Sequence, residues 1–464
     1  MEPRTLQFIC DATGGTLSGL IPTVLITGVC TDSRQIKPGD LFFALKGERF
    51  DGHRFLDEVF AKGAAAAVVE TAPGNPEGRP LMIVPDVRAA LGKLAARYRQ
   101  DFALRTVAVG GSNGKTSTKE LVAAVLSAKF KTLWSEGSFN NDIGVPLTLL
   151  RLESGHQAGV FEVGTNHPGE LGPLAQMIRP EFGVITSIGR EHLEFFGDLA
   201  GVAEEEGALA EFLLEQGKLF VNGDSPGLEE IARRTRAGIT RLGCGAGNDW
   251  RVENWRVDEN GTRFNLAGPD SNFSGEYQTN LLGRHQAVNA GFAILLGREL
   301  GLNRQEIESG LAGAQGAKMR LQARRADHFM ILDDCYNANA DSMAAALETL
   351  RVFPCQGKRM AILGEMGELG EASDSAHREV GEKAADAGIE ALFAVGSRSA
   401  MMAGGARQGG MRRVFEAADS GAAVEMAGPL IEAGDVVLVK ASRSSRFERI
   451  VEALGRLPAE AVVH

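Results

Sequence analysis

The run Val107-Ala108-Val109-Gly110-Gly111-Ser112-Asn113-Gly114-Lys115-Thr116-Ser117-Thr118 leaves the chain few ways to fold around it. It reads as a short buried strand, a tight glycine turn and a helix reaching about Lys129. A strand feeding such a turn at a helix N-terminus makes an anion site, because the unpaired N–H groups of the first helical turn and the positive end of the helix dipole face the turn. Gly111 and Gly114 let the backbone wrap a phosphate, Lys115 can reach the outer phosphates, and the Thr116 hydroxyl can hold Mg²⁺. The spacing departs from G-x-x-x-x-G-K-[ST]: Val109 stands where the first glycine belongs, and the glycines fall at 110, 111 and 114. A bare Gly-Lys-Thr is also an ordinary helix start. The apolar strand before it and the amphipathic helix after it favour the phosphate reading.

A chain of 464 residues exceeds one compact core, so two to three domains are expected. The boundaries read as 1–85, 86–316 and 317–464, with a helix from Val87 to Gln100 bridging the first two units. The fold class is α/β: a small N-terminal α/β unit, a central phosphate-loop ATPase-like unit built on a parallel sheet, and a C-terminal Rossmann-like unit. In the first unit Pro38-Gly39-Asp40 is a turn, Leu41 to Leu45 a buried strand, and Thr71 to Pro80 a Gly/Pro-rich loop. In the second, strands alternate with helices, which predicts a parallel sheet covered on both faces. The third alternates likewise but lacks G-x-G-x-x-G, so no NAD is expected.

A net charge of −11 argues against general nucleic-acid binding. The five cysteines form no C-x-x-C pair and no zinc spacing, and read as reduced thiols of a cytoplasmic protein. The first residues do not read as a signal peptide, and no apolar run approaches the roughly 20 residues that span a bilayer.

Two further runs follow one plan, an apolar strand ending in polar residues: Val160 to Glu170 with Glu162, and Gly183 to Glu194 with His192. In open α/β sheets ligands bind beyond such strand ends. Alone, Glu162 could cap a helix and His192 could be a satisfied core residue. Beside a Gly-Lys-Thr turn they favour a metal held near ATP. Residues 202–206 open an acidic helix, whose plain reading is a solvated N-terminus suited to its dipole. Ser33 and Arg34 read plainly as turn and surface.

Taken together, Gly111-Ser112-Asn113-Gly114-Lys115-Thr116, Glu162, His192, Gly283-x-His285 and Met319-Arg320 resemble the Mur ligases of bacterial peptidoglycan synthesis. Four more blocks resemble the branch of that family that adds D-alanyl-D-alanine to a UDP-N-acetylmuramoyl-tripeptide. They are Asp32-Ser33-Arg34 through Phe42, Asp333-Asp334-x-Tyr336-Asn337-Ala338-Asn339, Gly364 to Gly370, and Lys440-x-Ser442-Arg443-Ser444. The resemblance implies an ATP-dependent, Mg²⁺-dependent ligase, monomeric, with small-molecule substrates and no membrane or nucleic-acid partner.

By matching position, Ser33 and Arg34 would lie near the uridine nucleotide, and Asn140, Asn141, Lys440, Ser442 and Arg443 on the substrate side. Residues Gly111, Ser112, Asn113, Gly114, Lys115, Thr116 and Ser117, with Asn289, Arg320, Asp334 and Asn337, would bind the nucleotide. Thr116, Glu162, His192 and Glu206 would hold the metal; Lys115, His192, Glu206 and Arg320 would be catalytic. The chemistry suits these types. An amine does not displace oxide from a carboxylate, so ATP must first make an acyl phosphate, and cations must offset the charge that gathers. Acyl phosphates hydrolyse, so a third domain closing over the site is expected.

Three positions depart from the family. Where it has a carboxylated lysine, this chain has Glu206 in Glu206-Gly207-Ala208-Leu209; the expectation is that this shorter carboxylate replaces the modified lysine as a metal ligand. Gln286 stands for the usual Asn, and Ala340 for the usual Pro. A related Mur or folylpolyglutamate-type ligase, a degenerate nucleotide-binding partner and a kinase are the competing readings.

Overall fold

Along the strand Arg105–Gly110, Val107 and Val109 pack into one hydrophobic core and Ala108 into another, so the middle of the chain is layered on both faces of one sheet. The computed structural model describes residues 1–18, 25–48, 50–72 and 79–457. Of the loop expected over 71–80, residues 73–78 lie outside the described residues.

The central sheet has nine strands, in the order Gly275–Thr279, Gly261–Ala267, Trp250–Asp258, Gly238–Gly243, Lys218–Asn222, Phe182–Ile185, Arg105–Gly110, Ala158–Glu162 and Thr132–Trp134. Trp250–Asp258 onward to Thr132–Trp134 runs parallel, but the other edge is antiparallel: Trp250–Asp258, Gly261–Ala267 and Gly275–Thr279 form a meander. The expected parallel sheet gives way to a meander at this edge because strands joined by tight connections, such as Asp258 to Gly261, pair as hairpins. The helix Lys115–Ser127 turns Leu121, Val122, Val125 and Leu126 onto the sheet, and Arg284–Glu299 packs into the same core with Phe292 and Leu296.

The N-terminal sheet orders Thr16–Ser18, Leu81–Ile83, Ala66–Val69, Asp40–Phe43 and Gly28–Cys30, parallel except for its first pair. Helix Val87–Arg99, capped by Asp86, joins it to the centre. Leu91, Leu94 and Tyr98 share one core with Leu6 and Ile9 before them and with Leu149 and Ile178 beyond. The C-terminal sheet orders Gln322–Arg325, Met330–Asp333, Val436–Lys440, Arg359–Leu363, Ala391–Val395 and Val414–Ala417. Only the first pair is antiparallel. Among the described residues no helix is long and apolar enough to cross a membrane.

Candidate active site

Three neighbouring strands end level with one another: Glu162 pairs with Val109 and Ile185 with Gly110. The glycine turn therefore rises from the middle strand with a polar strand end on either side. Gly111 and Gly114 hold φ of +108° and +92°, which a side chain rarely tolerates. A Cβ on Gly111 would lie 2.7 Å from the Thr186 nitrogen, and one on Gly114 would lie 2.9 Å from Asn289 Oδ1.

The turn is stitched to residues 186–189. Ser112 N–H donates to Ser187 O (2.8 Å), Asn113 N–H to Ser187 Oγ (2.9 Å), and Gly189 N–H to Ser112 Oγ (2.8 Å). Gly111 N–H donates to Glu206 Oε2 at 2.5 Å. With the N–H groups of 111–113 engaged, an anion meets the unpaired first turn of the helix that starts at Lys115.

Lys115 Nζ lies 3.3 Å from Glu191 Oε2 and 4.0 Å from Glu206 Oε1. Burial alone would lower its pKa; Glu191, Glu206 and Glu162 outweigh that and hold it above the ordinary value. Burial pushes Glu206 up to about 8, against Lys115 and with Glu191. Thr116 Oγ1 donates to Glu162 Oε1 (3.2 Å), which also accepts from Asn140 Nδ2 (2.9 Å). Glu162 Oε2, Glu191 Oε1 and Glu206 Oε1 are buried with no hydrogen-bond partner.

Two expectations are corrected here. The helix holding residues 202–206 is Leu199–Glu211, capped by Asp198, so the acids lie inside it and not at a solvated N-terminus. Glu206 is 0% exposed beneath the glycine turn, and Glu205 is buried accepting from Thr165 Oγ1 and from the N–H groups of Gly169 and Leu171. His192 is not at a strand end: its strand stops at Ile185, and His192 caps the short helix Leu193–Phe196 at φ +48°.

Thr116, Glu162, His192 and Glu206 do not converge on a point. Among the described residues no three His, Cys, Asp or Glu side chains stand together as a metal cluster. Thr116 pairs with Glu162, Glu206 with Glu191 and Lys115, and His192 Nδ1 faces Glu368 Oε2 at 2.8 Å.

One cleft of about 1250 Å³ gathers residues 112–117, Asn140, Asn141, Glu162, His192, Asn289, Arg320, Asp334, Asn337, Lys440, Ser442 and Arg443. In its C-terminal wall Lys440 Nζ donates to Asp334 Oδ2 (2.6 Å) and Asn337 O (2.9 Å). Burial lowers the pKa of Lys440 although Asp334 opposes it. The Arg320 guanidinium lies 4.1 Å from the Tyr336 ring centroid, and its neighbours Met319 and Leu321 both take positive φ. Tyr336 reaches the central domain through Ser138 Oγ (2.6 Å). Asn289 Nδ2 donates to Gln286 Oε1 (3.0 Å), so Gln286 supports the residue beside it.

Gly111 and Glu206 are not in the cleft wall; they sit under it. Ser33 and Arg34 do not line it either. Ser33 is buried in the N-terminal domain, and exposed Arg34 pairs with Asp32 at 2.7 Å. Glu191 was missed as a site residue: it faces Lys115 from the run Arg190-Glu191-His192, where only its adjacency to His192 hinted at a role.

Three α/β domains around a phosphate turn, with buried acids beside and beneath it and a cleft lined from more than one domain, describe a nucleotide-dependent enzyme. Family models match the chain in order: "Mur ligase family, catalytic domain" over residues 25–99, "Mur ligase middle domain" over 109–297, and "Mur ligase, glutamate ligase domain" over 319–443. The chain belongs to the Mur ligase family.

Within it, the chain is 39% identical over 457 residues to the UDP-N-acetylmuramoyl-tripeptide--D-alanyl-D-alanine ligase of Escherichia coli (strain K12), covering 97% of this chain and 98% of that one. It is 34% identical to the enzyme of the same name from Bacillus subtilis (strain 168), covering 99% and 100%. A crystal structure of MurF from Acinetobacter baumannii matches with a TM-score of 0.91 at 32% identity, covering 98% and 99%. MurF ligase from Thermotoga maritima in complex with ADP matches at 0.83 and 27% identity, covering 93% and 97%.

Proposed function

We propose that the chain is an ATP-dependent ligase joining D-alanyl-D-alanine to a UDP-N-acetylmuramoyl-tripeptide, the reaction its relatives' names describe. The observation that carries this reading is one cleft holding both Lys115 at a free helix start and the buried Asp334–Lys440 pair of another domain. Residues 1–85 take the uridine end, with Ser33 and Arg34 beside it; 86–316 take ATP; 317–464 close the site. The protein acts as a monomer in the cytoplasm.

The first turn of the Lys115 helix and the Lys115 ammonium hold the phosphates of ATP. Phosphates entering the cleft draw Lys115 away from Glu191 and Glu206. Asn289 and Gln286 line the nucleotide side, and Asn337 and Asp334 close it from the third domain. Arg320, held over the Tyr336 ring, offsets charge as the tripeptide carboxylate takes the phosphoryl group. Asn140 and Asn141 orient that carboxylate, and Lys440, Ser442 and Arg443 receive the dipeptide. Its neutral amine attacks the acyl phosphate, and phosphate leaves.

The donor set fits Mg²⁺. Glu162, Glu191 and Glu206 each bury one carboxylate oxygen without a partner, a hard donor within the electrostatic reach of Lys115. Thr116 and Glu162, which share a hydrogen bond beside the turn and both line the cleft, would hold the ion, which would neutralise phosphoryl charge.

Phosphate release from ATP and Mg²⁺ with a UDP-N-acetylmuramoyl-tripeptide, with and without D-alanyl-D-alanine, tests the reading. Release that needs both substrates and yields the amide is expected. ATP binding without release, whatever the amine, would make the chain a non-catalytic nucleotide binder.

A further inference from the structure

Residues 187–192 lie between the glycine turn and the C-terminal domain. On one side Ser187 and Gly189 bond to Ser112 and Asn113. On the other, Arg190 reaches across the seam. Its backbone N–H donates to Asp341 Oδ2 (2.7 Å), and its Nε and Nη2 to Asp341 Oδ1 (3.0 and 2.7 Å). Its Nη1 and Nη2 donate to Glu379 Oε2 and Oε1 (2.5 and 3.1 Å). Asp341 lies in the first turn of helix Ala340–Val352, and Glu379 lies on helix Ser373–Asp386. One guanidinium thus joins two helices of the C-terminal domain to the loop that braces the phosphate turn.

The seat is shaped for this contact. A Cβ on Gly189 would lie 2.7 Å from Asp341 Oδ2, so the carboxylate rests on bare backbone. A lone exposed ion pair does little, but here a planar fork meets two carboxylates with a backbone N–H in support, and each side chain is only about one third exposed. Asn339 Nδ2 donates to Asn113 Oδ1 (3.0 Å) across the same seam. Arg190 itself lines no part of the cleft.

We propose that Arg190 is a positioning residue that latches the C-terminal domain shut over the phosphate turn and so keeps water from the acyl phosphate. The inference rests on the ligase reading. When the dipeptide amine attacks the acyl carbon, a C–N bond forms, the C–O bond to phosphate breaks with its electron pair going to phosphate, and the nitrogen gives up one proton as one amide is made. When water attacks instead, a C–O bond forms, the same bond breaks, and phosphate leaves with the carboxylate regenerated and a proton released. A loose latch therefore appears as phosphate released in excess of amide.

The test measures phosphate and amide together in the full-length protein. Wild type is expected to give a ratio near 1. Arg190→Ala should raise it to 2 or more and lower kcat for amide about tenfold, with KM for ATP within about twofold of wild type. Arg190→Lys should fall between, since a point charge cannot fork. Glu379→Gln, outside the cleft, should raise the ratio less, and the double variant should be no worse than Arg190→Ala, because both act through one contact. If Arg190→Ala does not fold, Glu379→Gln and Arg190→Lys carry the test. A ratio of 1 in the folded variants overturns the latch, whatever happens to kcat. No amide from wild type overturns the ligase reading instead.

Discussion

Glu206 accepts a hydrogen bond from the Gly111 N–H at 2.5 Å, which puts a buried carboxylate directly beneath the phosphate turn. Its other oxygen has no hydrogen-bond partner and lies 4.0 Å from Lys115 Nζ. A carboxyl group so placed is built into the protein and needs no added CO₂. Glu206→Ala should cut amide formation by about 10- to 100-fold, as loss of a metal's supporting shell commonly does. Wild-type rates in bicarbonate-depleted and bicarbonate-supplemented buffer should agree. Full activity in Glu206→Ala would remove this residue from the site.

The turn tolerates no side chain at Gly111. Its φ is +108°, and an added methyl would press on Thr186 Oγ1 and lie 2.7 Å from the Thr186 nitrogen, so Gly111→Ala must displace the strand end at 186. A loss of about 1–3 kcal/mol in unfolding free energy is expected, with ATP affinity falling alongside. Denaturant unfolding and nucleotide titration of the same sample measure both. An unchanged midpoint would contradict the geometry.

Lys119 is fully buried on the turn's helix, donating to Ser135 O (2.7 Å), Gly137 O (2.8 Å) and Glu120 Oε1 (2.6 Å). It holds the segment that delivers Ser138, Asn140 and Asn141 to the cleft. Lys119→Met fills the volume but leaves two carbonyls unpaired, at about 1–3 kcal/mol for each buried group so stranded. The thermal midpoint should drop and KM for the tripeptide substrate should rise more than KM for ATP. Equal changes in both would show that the 135–141 segment is held by other contacts.

Burial depresses His285 from an ordinary 6.5 to about 4, and its Nδ1 has no partner. Between those values the unfolded chain binds a proton that the folded one refuses. Stability should therefore fall as pH drops below 6.5 and stop falling, for this group, below about 4. His285→Phe should flatten that part of the pH–stability curve. Identical slopes in the two proteins from pH 6.5 to 4 would show that His285 takes up its proton freely.

Much of the architecture was legible because it is local. The strand through Val107 and Val109, the glycine turn and the helix after it follow from residues within one another's reach, and Arg105–Gly110 and Lys115–Ser127 lie where the pattern puts them. So do Arg359–Leu363 and Val436–Lys440, whose unbroken apolar runs suit strands buried on both faces. The antiparallel edge at 250–279 was not legible, since apolar spacing marks a strand without naming its neighbour.

The motifs by themselves determined the family resemblance, the phosphate turn and such cleft residues as Lys115, Glu162, Asp334 and Lys440, because each motif carries its own backbone conformation and chemical type. Tertiary structure alone decided that Glu206 lies under the turn, that Glu191 faces Lys115, and that Arg190 clasps Asp341 and Glu379. These pairs stand between 76 and 189 residues apart in the chain. Which charge neutralises which is set by the packing of sheets and helices that brings them together, and no local pattern records it.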